Sequence, residues 1–188
     1  MTYESFISIC LGIGLAASVG FRVFVPLFTL SLASYFNMWE LNESWQWIGS
    51  TTALITFGVA TLVEIVAYFI PYVDNLLDTI AVPLAAIAGT AVMVSTVADL
   101  SPVFTWALAI IAGGGTAAVI AGSSGAARLT STASTAGFAN PVVGLFETGT
   151  SIVVSILSIF LPILGLVLVA LILYLIFKVF KKFRVKRG

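Results

Sequence analysis

Over its first 177 residues the chain carries only two basic side chains, Arg22 and Arg128. Long apolar runs fill the space around them. A helix needs about 20 apolar residues to cross the hydrocarbon of a bilayer, and its backbone polar groups then satisfy one another. With 60% hydrophobic and 9% charged residues, the chain cannot cover a water-facing surface, since soluble domains carry about 25% charged residues. The expectation is an all-α, polytopic helical transmembrane bundle. Its 188 residues hold about four to six spans, which leaves no room beside a single integral membrane domain, residues 1–188.

The remaining basic residues gather at the end. Lys178, Lys181, Lys182, Arg184, Lys186 and Arg187 make residues 178–188 a basic tail. By the positive-inside rule that tail is cytoplasmic, and it could also meet anionic lipid. Met1-Thr2-Tyr3-Glu4 has no basic n-region, so the first apolar segment reads as mature protein rather than a signal peptide.

Prolines and glycines divide the runs. The first segment, Phe6 to Tyr35, is expected to break near Gly20–Arg22. Asn37 to Trp47 is an acidic, Trp-rich interfacial loop on the face opposite the tail. Further segments run from Ile48 to Ile70, Val73 to Ala98 and Val103 to Gly122, followed by a small polar stretch to Asn140-Pro141. The last segment begins at Pro141, and Pro162 kinks or divides it. Gly12, Ala16 and Gly20 precede Arg22 at spacings of four, and Ala118, Gly122 and Ala126 precede Arg128 likewise. Such ridges let helices approach closely, within one chain or in a homodimer. The likeness suggests two three-element inverted repeats, residues 1–100 and 101–177; chance similarity of two small-residue helices is the alternative.

Chemistry is constrained by what is missing. Cys10 is the only cysteine and there is no histidine, so no intrachain disulfide, no His-based metal site and no Ser-His or Cys-His pair can form. No enzyme, no cofactor and no nucleic-acid partner is expected. Glycines at Gly113-Gly114-Gly115 and Gly122-Ser123-Ser124-Gly125 serve helix packing or, in a broken helix, anion binding.

The informative residues are the charges in apolar surroundings. A buried arginine costs about 2.5–3.5 kcal/mol even on a lenient scale. Arg22 and Arg128 therefore pair with Glu64, Glu147 or Asp74, bind a phosphate or carboxylate, or snorkel. Glu64 suits a proton- or sodium-coupled site or an arginine partner. Asp74 and Asp78, one turn apart, either coordinate a cation with Asn75 nearby or favour a helix N-terminus. Asn140 is a candidate N-cap, and Glu147 lies too far along to serve it.

Gly20-Phe21-Arg22 with Pro26, Glu64 followed by Pro71-Tyr72-Val73-Asp74-Asn75 and Asp78, and Gly125-Ala126-Ala127-Arg128 followed by Gly137-Phe138-Ala139-Asn140-Pro141-Val142-Val143 and Glu147 resemble the bacterial membrane proteins called domain of unknown function 4126. The resemblance implies an integral protein of the bacterial inner membrane and supplies no substrate. The expected function is a small transporter or channel-like protein for an ion or small anionic solute, using Arg22, Glu64, Asp74, Asp78, Arg128, Asn140 and Glu147. A membrane scaffold with structural ion pairs, or a protein handling phosphorylated lipid head groups, are the alternatives.

Overall fold

The computed structural model describes residues 2–98 and 100–185. Asp99, Lys186 and Arg187, and the side chains of Asn75 and Arg184, lie outside the described residues. The helices are α1 (Tyr3–Phe21), α2 (Phe24–Tyr35), α3 (Thr51–Ala67), α4 (Pro71–Thr96), α5 (Pro102–Leu108), α6 (Gly115–Thr135), α7 (Asn140–Phe160) and α8 (Pro162–Val185). A 3-10 turn, Glu43–Gly49, precedes α3, and a π-helical segment, Ala109–Gly114, joins α5 to α6. Five of the described helical stretches are long and apolar enough to cross a membrane. A sixth is added if the 3-10 turn and α3, bent by 63°, count as one span. The protein is a polytopic helical membrane bundle.

Local chemistry sets the boundaries. Thr2 accepts the Ser5 N–H to start α1, and Ser50 accepts the Ala53 N–H at 3.1 Å to start α3 after the bend. Pro71, Pro102 and Pro162 each open a helix, where a missing N–H costs nothing. Pro162 divides the last segment into two helices. Arg22 adopts extended backbone (φ −147°, ψ 125°) and separates α1 from α2.

The small polar stretch after Gly122 is not a loop. Helix α6 runs on through Arg128 to Thr135 and ends where Ala136 and Gly137 take positive φ. Serine and threonine hydroxyls there bond carbonyls one turn back, as Thr130 does to Ala126, so small polar residues stay helical without a loop's hydrogen bonds.

Helix α1 forms the centre of the bundle, packing on α4, α6, α7 and α8. A Cβ on Gly12 would lie 2.8 Å from Thr96 Oγ1, and one on Gly20 would lie 2.7 Å from the Ala117 carbonyl. Ala16 between them is fully buried. The second ridge behaves differently. Gly122 and Ala126 are exposed and Ala118 is half-buried. The close approach to α4 falls instead on Gly89 of α4 and on Gly113 and Gly114 of the π-helical segment: a Cβ on Gly113 would stand 2.7 Å from the Gly89 carbonyl. These glycines belong to a helix crossing rather than to a broken helix holding an anion.

The Trp-rich loop closes the opposite end of the bundle. Asn42 Nδ2 donates to the Val94 and Val97 carbonyls at the end of α4, and Trp39 Nε1 donates to the Ile159 carbonyl at the end of α7. Ala98 N–H donates to Ser8 Oγ beside the start of α1. The start of α1, the ends of α4 and α7, and this loop therefore share one end of the bundle. Helix α8 runs from that end toward the other, so the loop and the lysine-bearing end of α8 lie apart.

Candidate functional site: a buried charge cluster

Six charged side chains meet near the end of the bundle where α1 stops and α4 begins. Arg22 comes from the α1–α2 break, Glu64 from α3, Asp74 and Asp78 from α4, Arg128 from α6 and Glu147 from α7. Arg22 and Arg128 are each only 2% exposed. Their heads reach one place from two backbone settings, a helix break and the interior of a continuous helix.

Each of the three nitrogens of Arg128 has a carboxylate partner. Its Nε donates to Glu147 Oε1 at 3.2 Å, its Nη2 donates to Glu147 Oε2, and its Nη1 donates to Asp74 Oδ1. The planar fork fits Glu147 with two parallel bonds, geometry that an ammonium cannot supply. Asp78 stands farther off, 3.8 Å from Arg128 Nε, and its side chain is 23% exposed. Arg22 donates through Nε to Thr148 Oγ1 at 2.9 Å and through Nη2 to the Gly144 carbonyl at 3.0 Å, with Glu147 Oε2 at 3.6 Å. Its Nη1 has no hydrogen-bond partner among the described residues. Gly144 is needed here: a Cβ would lie 3.2 Å from Arg22 Nη2 and 3.6 Å from Arg128 Nη2.

Tyr68, one turn beyond Glu64, was not foreseen from the sequence. The two guanidinium carbons lie 3.7 Å (Arg22) and 4.3 Å (Arg128) from its ring centroid, close enough for cation–π attraction. The ring thus meets both guanidinium groups. A visible signal existed, because positions four apart share a helix face. Thr148, adjacent to Glu147, was also missed.

Glu64 does not pair with an arginine. Its Oε1 accepts the Val23 N–H at 2.8 Å and its Oε2 accepts the Phe24 N–H at 2.9 Å. These are orphan donors of the first turn of α2, which has no cap from its own segment. A carboxylate at a helix N-terminus also meets the favourable end of the helix dipole. Glu64 is therefore a cap supplied by another helix. Asn140 is not the N-cap of α7. Ala139 holds that position without a side-chain bond. The Asn140 amide instead donates to Thr132 Oγ1 at 3.0 Å and, more weakly, to Asp74 Oδ2 at 3.4 Å. Asn140 thereby steadies the outer edge of the cluster.

A cavity of about 470 Å³ opens beside the cluster, bounded by the α1–α2 break, α3, α4 and α6. Its walls are mostly apolar, with Phe24, Val63, Leu77 and Leu84 among them, and one end carries Glu64, Tyr68, Asp78, Arg128 and Glu147. Helix α3 packs mainly on α2 and the 3-10 turn, so the cavity stands between it and α4. No group of three or more metal-binding side chains occurs among the described residues.

A family model matches residues 9–182, nearly the whole chain. The chain belongs to the family described as Domain of unknown function (DUF4126). Every charged residue of the cluster falls within the matched stretch of this family's model. No curated protein and no solved structure matches the chain.

Proposed function

We propose that this protein is a small membrane transporter for an ion or small charged solute, with its ligand site at the charged end of the cavity. The supporting observation is the charge balance there. Two guanidinium groups meet four carboxylates, Glu64, Asp74, Asp78 and Glu147. Asp74 and Glu147 balance the two arginines through direct contacts. Two backbone N–H groups hold Glu64. The carboxylates exceed the guanidinium groups by two, and of the two acids outside the tight pairs Asp78 is the one held only by a 3.8 Å contact to Arg128, partly exposed and lining the cavity. A residual carboxylate in an apolar cavity favours a cation or a proton over an anion. An anion in the cavity would have to displace carboxylates from Arg128, whose three nitrogens are all engaged, because the unpartnered Nη1 belongs to Arg22, which does not line the cavity. That argument also weighs against recognition of phosphorylated head groups.

On this reading the protein spans the inner membrane of a bacterium, with the Lys178, Lys181 and Lys182 end in the cytoplasm by the positive-inside rule. Purified protein in liposomes with an imposed pH gradient tests the function. Cation-dependent dissipation of the gradient, lost in Asp78→Asn, supports it. The absence of flux for every ion tried, in protein that is demonstrably folded, would overturn it. A second reading is a membrane scaffold, favoured by the engagement of all three Arg128 nitrogens with carboxylates. A stable partner recovered without any flux would select that reading.

A further inference from the structure

The cavity is much larger than a metal ion and mostly apolar, which narrows what would occupy it. Ligand pockets for small organic molecules measure about 300–1,000 Å³, with apolar walls and a few polar groups that fix orientation. At about 470 Å³ this cavity is of that size. A bare sodium ion would leave most of it empty and would meet few oxygen donors there. The walls offer Phe24, Val63, Leu77 and Leu84 along the body of the space, and the aromatic ring of Tyr68 near the charged end. Asp78, held only loosely by Arg128 at 3.8 Å and partly exposed, supplies an accessible negative charge at that end.

The entrance also matters. Val59 and Val63 of α3 both line the cavity and are 56% and 61% exposed. Helix α3 packs mainly on α2 and the 3-10 turn rather than on α4, so the gap between α3 and α4 offers a route from the bilayer that an apolar molecule can use and a hydrated ion cannot.

We infer that the cavity binds an amphipathic organic monocation, with its charged centre at Asp78 and its apolar body along α3 and α4, entering from the bilayer between those helices. This rests on the transporter reading for its site but makes a separate claim about the ligand. A molecule of this class satisfies the left-over carboxylate and fills the apolar walls at once. A neutral apolar molecule would leave Asp78 unmatched, and an apolar anion would be repelled by it.

Tetraphenylphosphonium and tetraphenylborate provide the test, because they are nearly the same shape with opposite charge. Binding of labelled tetraphenylphosphonium to the purified full chain is measured in detergent and in nanodiscs. The expected result is saturable binding that tetraphenylborate does not compete. Asp78→Asn is expected to weaken it by about tenfold or more, roughly 1.4 kcal/mol per factor of ten. Ala81→Trp, which fills the cavity from α4, is expected to abolish it. Equal competition by tetraphenylborate, or binding unchanged in Ala81→Trp, would overturn the inference. If Asp78→Asn fails to fold, the isosteric anion and Ala81→Trp still decide it. Saturable binding without flux of any cation would refute transport and leave the ligand class standing. Inorganic cation flux with no tetraphenylphosphonium binding would do the reverse.

Discussion

Replacing Glu64 with glutamine asks whether that carboxylate holds the fold or handles ligand. The wild-type carboxylate accepts two backbone N–H bonds, from Val23 at 2.8 Å and Phe24 at 2.9 Å. Glutamine keeps nearly the same shape but has one acceptor oxygen, and its NH₂ would face the second donor. One charge-assisted hydrogen bond is lost, about 1.5–3 kcal/mol. The favourable interaction of a negative charge with the start of α2 is lost as well, about 0.3–1 kcal/mol. Together these predict a destabilisation of about 2–4 kcal/mol, a large share of the stability of a typical domain. Reversible unfolding in mixed dodecylmaltoside and SDS micelles measures it, followed by circular dichroism. Stability within about 0.5 kcal/mol of wild type, an effect normally seen at featureless surface sites, would refute the capping role.

Other substitutions separate contacts that look alike in sequence. Arg128→Ala strands Asp74 and Glu147 without their main cation and is expected to cost about 3–5 kcal/mol in the same unfolding assay. Gly113→Ala brings a Cβ within 2.7 Å of the Gly89 carbonyl and should lower the melting temperature in detergent, whereas Gly122→Ala meets nothing nearer than Val82 Cγ2 at 3.9 Å and should not. Ser18 Oγ lies 2.6 Å from Ser155 Oγ and also bonds Ser151. A double-mutant cycle of Ser18→Ala with Ser155→Ala should give a coupling of about 0.6–1.7 kcal/mol, from the average to the maximum for interhelical bonds in membranes.

Helix placement was largely legible, because a bilayer demands long apolar runs and proline and glycine interrupt them visibly. The break at Arg22, the helix start at Pro102 and the division at Pro162 stand where the residues suggested, while α4 starts at Pro71, two residues before the expected Val73. The helix from Gly122 to Thr135 was not legible, since serine, threonine and alanine serve loops and packed helices equally. The partner of Glu64 was hidden for a different reason. Charge patterns advertise arginines, while the donors here are backbone N–H groups exposed by a break elsewhere in the chain. Ser151, Ser155 and Ser158 recur on one face of α7 and are fully buried against α1 and their own helix. That spacing was available to read, and it marks the α1–α7 contact. Which of the acids would be left over could not be read, because it depends on distances between five different helices or their ends.

The most direct test of the account compares flux and stability in one variant, Asp78→Asn, reconstituted beside wild type. Asp78 makes only a 3.8 Å contact with Arg128, so the substitution should leave unfolding stability within about 1 kcal/mol, the usual worth of a loose ion pair. Cation-coupled flux should fall to the level of empty liposomes. Unchanged flux in stably folded Asp78→Asn protein would contradict the claim that the left-over carboxylate is the ligand site.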